Sequence, residues 1–367
     1  MRLSFYGSSL VSSYWNGAAT YYRGLLAGLA KLGYRVTFFE PNAYGRQEHR
    51  DIADPSYARV VVYPATEDGL AEALEQGLDA DVVVKASGVG VFDDELLQAV
   101  AEHAAPGALR LYWDVDAPAT LTELAGQPDH PLRRLLPRFD AVFTYGGGSP
   151  VVEGFARFGA RRCVPIYNGL DRSTHFPVEA DPRFAADLAF LGNRLPDREA
   201  RVEEFFLKPA RLLPERQFLL GGSGWDDVTL PENVRYLGHV STGDHNAFNA
   251  TPLAVLNISR QSMADVGFSP ATRVFEAAGA GGCLITDFWQ GIEMFFEPGK
   301  ELLVARDGEE VARLLDGLEA DRAAEIGAAA LQRARRTHDY HRRAEELHHA
   351  LQDLLRRHNP PLRELSA

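Results

Sequence analysis

Short apolar runs alternate with amphipathic stretches along the first 160 residues. The apolar runs, which have the length of strands, lie at residues 3–6, 35–40, 60–63, 82–85, 111–113 and 141–145. The stretches with helical spacing lie at residues 18–32, 69–76, 94–102, 121–124 and 150–158. A chain that alternates in this way forms a parallel sheet with right-handed crossovers. The pattern predicts a doubly wound α/β domain.

The same alternation resumes in the second half of the chain. Its apolar runs lie at residues 188–191, 218–220, 235–237, 254–258 and 283–286. Between the two halves, CVPIYNGLDRSTHFP carries Asn168-Gly169 and two prolines, which are typical of turns and connections. We therefore predict a first Rossmann-like domain at 1–170 and a second at 171–340, followed by a C-terminal helix at 341–367.

The segment SPATRVFEAAGAGGCLITD, residues 269–287, places Arg273 and Glu276 in a helix of small and apolar residues. Ser269 is the predicted N-cap, and Thr272 lies in the first turn. In α/β domains helix N-termini lie beside the carboxyl ends of strands, where their free N–H groups attract phosphate. Glu276 is then a candidate ligand for sugar hydroxyls. The alternative is that Arg273 and Glu276, three residues apart, pair with each other on the surface.

Arginines follow two other predicted strands of the second half. The run at 188–191 leads into GNRLPDR, in which Gly192 permits close backbone approach, and Arg194 and Arg198 are candidate ligands for a diphosphate. Arg260, after the run at 254–258, is a third candidate. The alternative for Arg198 is an ion pair with Asp197 or Glu204 on a helix face.

These segments resemble the donor-site signature of GT-B glycosyltransferases, and FLGNRLPDR and FFEPGKELLVA resemble the CgeB-like (spore maturation) branch of that class. The resemblance implies two Rossmann-like domains facing each other across a cleft, with the C-terminal helix crossing back to the first domain. It also implies transfer of a sugar from a UDP-, GDP- or dTDP-linked donor to an acceptor hydroxyl, without a metal ion or another cofactor. A nucleotide-sugar epimerase and a non-catalytic nucleotide-sugar binding protein are the alternatives.

The resemblance also implies roles for single residues. Many retaining relatives have two glutamates flanking seven residues, and Glu276 matches the second, which holds the ribose. Phe268 stands at the position of the first, so the catalytic role of that glutamate does not carry over, and Asp265 is a weak substitute. The turn at Gly238, His239 and Val240 corresponds to the one that reads the base through backbone groups.

The first half supplies candidates for the acceptor side. Gly17 lies in a polar loop before the helix at 18–32, where a helix N-terminus would open towards phosphate. Asp116 and Asp114, in YWDVDAP, follow a buried strand, so either is a candidate general base, Asp116 before Asp114. Two other interpretations stay open. Asp116 caps the next turn, or the Asp-Val-Asp motif binds a divalent metal, as in the GT-A class.

Composition narrows the choice of partners and compartment. The 38 Lys and Arg residues against 51 Asp and Glu give a net charge of −13, which argues against a sequence-independent grip on nucleic acid. Cys163 and Cys283 each lie in an apolar run, so neither a disulfide nor a thiolate metal site is predicted. Because the sequence has no run of 18 apolar residues, we expect a cytoplasmic protein, with peripheral membrane contact left open. The acceptor is a glycan, a protein or a small molecule.

Overall fold

The computed structural model describes residues 1–14 and 16–358. Residues 359–367, which the sequence analysis assigns to the C-terminal helix, lie outside the described residues. The chain divides into two compact units, one made of residues 1–167 and 340–367 and the other of residues 168–339.

The first unit is built on a parallel sheet of seven strands in the order β3-β2-β1-β4-β5-β6-β7. The strands are β1 Arg2–Tyr6, β2 Arg35–Asn42, β3 Ala58–Pro64, β4 Val82–Ala86, β5 Leu109–Asp114, β6 Ala141–Thr144 and β7 Cys163–Pro165. The helices between them are α1 Ala19–Lys31, α2 Glu67–Gly77, α3 Asp93–His103, α4 Ala117–Gly126, α5 Pro131–Leu135 and α6 Gly148–Arg157. The core contains stacked aromatic pairs, among them Phe5 with Phe38 and Trp113 with Phe143.

The second unit is built on a parallel sheet of six strands in the order β10-β9-β8-β11-β12-β13. The strands are β8 Leu188–Leu191, β9 Phe218–Gly221, β10 Val234–Gly238, β11 Ala254–Asn257, β12 Leu284–Asp287 and β13 Leu303–Ala305. The helices are α7 Pro196–Val202, α8 Lys208–Leu212, α9 His245–Ala250, α10 Gln261–Val266, α11 Thr272–Ala280, α12 Gly308–Asp316 and α13 Ala320–Thr337.

Both sheets confirm the predicted doubly wound α/β architecture. In each, strand order reverses direction between the first strand of the unit and the fourth, which are β1 and β4 in one sheet and β8 and β11 in the other. Ligands of such sheets bind beyond the carboxyl ends of the strands at this switch point. The sequence pattern missed β7 and β13, the two strands of three residues at the edges of the sheets.

The last described helix, α14 Tyr340–His358, belongs to the first unit and packs on α1. Two glycines of α1 permit this contact. A Cβ on Gly24 would lie 2.2 Å from the ring of Tyr340, and a Cβ on Gly28 would lie 2.3 Å from the Cβ of Ala344. The two helices therefore approach each other more closely than side chains on α1 would allow.

Two further expectations concern cysteines and membranes. Cys163 and Cys283 are both free thiols. None of the helices among residues 1–14 and 16–358 is both long and apolar enough to cross a membrane.

Candidate functional site

A cavity of about 390 Å³ opens at the switch point of the second sheet. Its walls come from the carboxyl ends of β8 and β11, from the start of α11 and from the loops after β9 and β10. The lining residues are Phe190, Leu191, Gly192, Asn193, Arg198, Gly222, His239, Val240, Thr242, His245, Leu256, Asn257, Ile258, Ala271, Thr272, Arg273 and Glu276. Seven of the residues predicted from sequence therefore meet here: Gly192, Arg198, His239, Val240, Thr272, Arg273 and Glu276.

The start of α11 differs from the prediction, and the difference matters for the site. Ser269 is not its N-cap: the helix begins at Thr272, and the N-cap position is Ala271, which has no side-chain oxygen. Ser269 is buried, and its hydroxyl donates to the carbonyl of Gly267 at 3.0 Å. The first N–H groups of α11 have no side-chain cap and lie beside the cavity. An uncapped helix start of this kind is suited to binding an anion.

Arg198 enters the cavity from α7. Its Nε is buried and makes no hydrogen bond with any described residue. The predicted alternative, a pair with Asp197 or Glu204, is not the observed arrangement. Asp197 bonds Arg260 at 2.6 Å, and Glu204 bonds Lys208 and the Gly308 amide. Burial lowers the pKa of Arg198, although Asp197 acts in the opposite direction. A half-buried guanidinium with an unused, buried Nε–H is suited to an anionic ligand.

Gly192 makes room for this guanidinium. A Cβ at position 192 would lie 3.1 Å from Nη1 of Arg198 and 2.8 Å from the ring of Phe190. Its carbonyl accepts a hydrogen bond from Nε1 of Trp225 at 2.8 Å, which fixes the loop after β8. The glycine predicted from sequence thus has a steric reason in the structure.

Arg273 and Glu276 lie on α11 and face the same cavity. Nη1 of Arg273 donates to Oδ1 of Asn249 at 3.4 Å rather than to Glu276. Burial lowers the pKa of Arg273, and the Glu276 carboxylate partly offsets this effect. The surface pairing of Arg273 with Glu276 is therefore not what the structure has.

Two histidines surround the Glu276 carboxylate. Nε2 of the buried His175 lies 3.9 Å from Oε1 of Glu276. His245, the first residue of α9, also lies close, and the ligand atoms of all three residues are within 4.8 Å of one another. Burial lowers the pKa of His245, while the Glu276 carboxylate raises it. This imidazole is therefore held towards its neutral form, with a nitrogen lone pair available.

The turn after β10 closes another side of the cavity. The carbonyl of Gly238 accepts a hydrogen bond from the amide of Gly222 at 2.7 Å, which ties this turn to the loop after β9. His239 is exposed and Val240 is buried. Gly222 has φ +116°, and a Cβ there would lie 2.2 Å from the carbonyl oxygen of Gly192. The backbone is thus packed tightly around this end of the cavity.

Four residues predicted in the second half do not line the cavity. Gly238 and Ser269 contribute backbone geometry, as described above. Arg194 forms ion pairs with Glu199 at 2.6 Å and with Asp227 at 2.8 Å. Arg260 is held by Asp197. Acidic neighbours therefore hold Arg194 and Arg260 outside the cavity, whereas Arg198 and Arg273 line it.

The candidates of the first half lie in the first unit. The Asp114 side chain is fully buried, where its Oδ1 accepts hydrogen bonds from the Asp116 amide at 2.8 Å and from the Ser87 hydroxyl at 3.2 Å. Burial raises the pKa of Asp114 to about 6. Asp116 is half-buried at the N-cap position of α4, where its carboxylate makes no capping bond. Gly17 is exposed and precedes α1.

Phe268 stands where the resembled relatives have a glutamate, and its backbone is unusual. It has φ +50°, a backbone conformation that residues other than glycine rarely adopt. Its amide donates to the carbonyl of Gln290 at 2.7 Å, and its ring occupies the space beside Gly291. Asp265, the weak substitute, is exposed on α10, where its carboxylate accepts a hydrogen bond from Gln261.

Sequence reasoning missed several polar groups near this site. Asn257 ends β11 and lines the cavity, His245 begins α9, and His175 lies in the connection after residue 168. Asn257 is the one polar residue within the apolar run at 254–258, and this is a signal that the sequence does carry. The two histidines lie 70 positions apart and carry no local signal.

Part of the sequence matches a known protein family, and the fold is similar to several solved structures. Residues 198–349 match the family model described as glycosyl transferase-like. A comparison with curated protein sequences gives no match.

Several solved structures have a similar fold. Alr3699/HepE from Anabaena, in complex with UDP and glucose, is 16% identical with a TM-score of 0.65, and the alignment covers 96% of this chain and 100% of that one. Sucrose-phosphate synthase from Thermosynechococcus elongatus is 15% identical with a TM-score of 0.68, covering 96% and 99%. AviGT4, a glycosyltransferase involved in avilamycin A biosynthesis, is 17% identical with a TM-score of 0.62, covering 97% and 98%. These similarities confirm that the chain has the predicted GT-B fold.

Proposed function

We propose that this protein is a glycosyltransferase that moves a sugar from a nucleotide-diphosphate sugar to an acceptor hydroxyl. One observation carries the proposal: the uncapped start of α11 and the Arg198 guanidinium, whose buried Nε bonds none of the described residues, line the same switch-point cavity. The match of residues 198–349 with a glycosyl transferase-like family supports the same conclusion.

In this proposal the donor diphosphate binds at the start of α11, between Arg198 and Arg273. Glu276 accepts hydrogen bonds from the ribose hydroxyls, and backbone groups near His239 and Val240 contact the base. UDP is the first nucleotide to test, because Alr3699/HepE, which has the same fold, was solved with UDP and glucose. GDP and dTDP are the alternatives.

Transfer itself proceeds without a metal ion in this account. As the bond between the sugar and the diphosphate breaks, negative charge accumulates on the leaving diphosphate. Arg198, Arg273 and the N–H groups of α11 are positioned to stabilise that charge before the reaction begins.

We propose that the first unit supplies the acceptor side, with Asp116 as the general base. Asp116 is half-buried, whereas Asp114 presents no surface to solvent, so Asp116 is the better placed to reach a substrate. Asp114 would hold the Asp116 backbone through the hydrogen bond between them. A closer relationship with the CgeB-like branch rests on the two sequence motifs named above.

A thermal-shift screen against UDP, GDP, dTDP and common nucleotide sugars tests the donor site. We expect one nucleotide to raise the melting temperature, because a ligand of the native state stabilises it, and we expect the rise to persist with a chelator present. No shift with any nucleotide would contradict the proposal.

Turnover of the selected donor then tests the chemistry. A transferase needs an acceptor to release the nucleotide, an epimerase changes the sugar without one, and a binding protein leaves the donor intact. Asp116→Asn should leave nucleotide affinity unchanged and reduce transfer by roughly 100-fold, as expected for loss of a general base. Unchanged transfer in this variant would refute the role of Asp116.

A further inference from the structure

His175, His245 and Glu276 bring together the ligand set of a transition-metal site. Their nearest ligand atoms, two imidazole nitrogens and one carboxylate oxygen, all lie within 4.8 Å of one another. Three separate parts of the second unit supply them: the connection before β8, the start of α9 and the second turn of α11. Neither the resemblance nor the proposed nucleotide site requires these two histidines.

The surroundings of His175 leave one of its ring nitrogens facing the cluster. Nδ1 of His175 is 2.9 Å from the Thr174 hydroxyl, so Nε2 is the nitrogen that lies 3.9 Å from Oε1 of Glu276. The Val240 backbone lies beside the ring of His245 and acts to raise its pKa. Metal-binding histidines in proteins are oriented in this way, with the second nitrogen bonded to a protein oxygen.

Packing holds His175 in place. Its side chain is buried, its amide donates to the carbonyl of Asp171 at 2.9 Å, and its Cβ lies 3.0 Å from where a Cβ on Gly279 would be. The imidazole therefore stands against α11, one turn beyond Glu276, with little freedom to leave.

Two imidazole nitrogens and a carboxylate are a common ligand set for zinc, which leaves a fourth position for water or substrate. Ligand atoms about 2.1 Å from a tetrahedral zinc ion are about 3.4 Å apart. The ligand atoms of His175 and Glu276 are 3.9 Å apart, and those of the other pairs are at most 4.8 Å apart. Side-chain rotations that move these atoms by about 1 Å would complete the geometry.

We propose that His175, His245 and Glu276 bind one zinc ion, and that zinc and the nucleotide compete for the Glu276 carboxylate. A carboxylate that coordinates zinc is no longer available to accept hydrogen bonds from ribose, and His245 and Glu276 both line the cavity. Zinc would then inhibit the protein, while transfer itself would need no metal. The competition rests on the proposed function, whereas the metal site does not.

The metal site is tested by titrating zinc into the full chain after treatment with a chelator, without any nucleotide. We expect one tight equivalent in the wild type, and an affinity lower by roughly 100-fold in His175→Ala, His245→Ala and Glu276→Gln. His239→Ala is the matched control, because His239 lines the same cavity outside the cluster. Equal zinc binding by all five proteins, or no stoichiometric zinc in the wild type, would overturn the metal site.

Cobalt(II) gives a second readout that does not depend on how well a variant folds. The wild type should show the visible absorption of a tetrahedral cobalt site, and zinc should displace the ion and abolish that absorption. A spectrum no different from that of cobalt in buffer would also overturn the site.

The competition is tested by measuring UDP affinity with and without one equivalent of zinc. We expect zinc to weaken UDP binding about tenfold in the wild type and not in His175→Ala, which keeps Glu276. A separate titration of zinc into UDP alone supplies the correction for any complex of zinc with UDP in solution. Tight zinc binding with unchanged UDP affinity would refute the competition alone. Tight zinc binding by a protein that binds no nucleotide would refute the proposed function and leave the metal site standing.

Discussion

At the level of single residues, charged side chains that follow the same strand make very different contacts. Arg194 lies in the loop after β8 and Arg198 four positions further on, in α7. Arg194 is held by two carboxylates, whereas Arg198 lines the cavity and its Nε bonds none of the described residues. The sequence indicates that both follow β8. It does not indicate which one finds acidic partners, because Asp227 comes from a distant part of the chain.

Asp114 supplies a prediction about pH. Its pKa in the folded protein is about 6, against an ordinary value of 3.8, so between these values the folded state holds a proton that the unfolded chain has released. Stability must therefore fall as the pH rises through this window. A shift of about 2 units corresponds to about 3 kcal/mol.

Urea denaturation at several values between pH 4 and pH 7 measures this effect. Asp114→Asn keeps the shape of the side chain and has no proton to lose, so the wild type should lose about 2.4 kcal/mol relative to this variant between pH 4 and pH 7. A difference in the free energy of unfolding that does not change with pH would show that Asp114 titrates normally.

At the scale of elements, α11 shows how a local rule can predict a helix and misplace its start. Ser269 and Pro270 satisfy the usual preferences for N-cap and first helical position. In the structure the Ser269 hydroxyl bonds Gly267, and the Pro270 carbonyl accepts a hydrogen bond from Asn168, so both are held in the preceding loop. Tertiary contacts from residue 168 decide the boundary, and such contacts leave no pattern in the local sequence.

Replacing the N-cap of α11 separates stability from binding. Ala271 has φ −65° and ψ 151°, a conformation in which an aspartate side chain caps the helix. Ala271→Asp should raise the free energy of unfolding by about 1 kcal/mol, because it supplies the missing cap. It should also weaken UDP binding by about tenfold or more, because its charge lies where the diphosphate would bind.

Ala271→Ser is the matched control for charge, since it adds a cap without a negative group. It should gain similar stability and bind UDP more tightly than Ala271→Asp does. Thermal denaturation and calorimetric titration of the three proteins measure both quantities. Equal UDP affinity in the two variants would mean that the diphosphate does not bind at this helix start.

The contact between α1 and α14 gives a second prediction at this scale. Gly28→Ala would place a Cβ 2.3 Å from the Cβ of Ala344, so one helix must move. We expect a loss of about 1–3 kcal/mol, as for other overpacked cores. Gly126→Ala, at the end of α4, meets nothing within 4 Å and should leave the stability unchanged or slightly raised. If the two substitutions had equal effects on the melting temperature, the close approach of the helices would be refuted.

At the scale of the whole molecule, the alternation of apolar and amphipathic segments predicts two parallel sheets, and both are present. The spacing of apolar residues indicates whether a segment buries one face or two, and this is enough to predict the fold class. It does not report which unit α14 joins. That helix has an apolar stripe suited to any partner, and its packing on α1 depends on Gly24 and Gly28, more than 300 positions away.

The sequence likewise predicts the position of the candidate site but not all of its residues. Its position at the switch point follows from strand order and could be predicted once two doubly wound domains were recognised. The grouping of His175 and His245 around Glu276 could not, because it depends on how the connection after residue 168 folds back against α11.

The cavity between β8 and β11 is the proposed binding site for the diphosphate of a nucleotide sugar. Calorimetric titration of UDP into the wild type, Arg198→Gln and Arg194→Gln tests it most directly. Both substitutions remove one positive charge from the segment after β8, but only Arg198 lines the cavity. We expect Arg198→Gln to weaken UDP binding by at least about tenfold, or about 1.4 kcal/mol. We expect Arg194→Gln to bind UDP within about twofold of the wild type. Equal affinities in both variants, or a loss confined to Arg194→Gln, would contradict the proposed site.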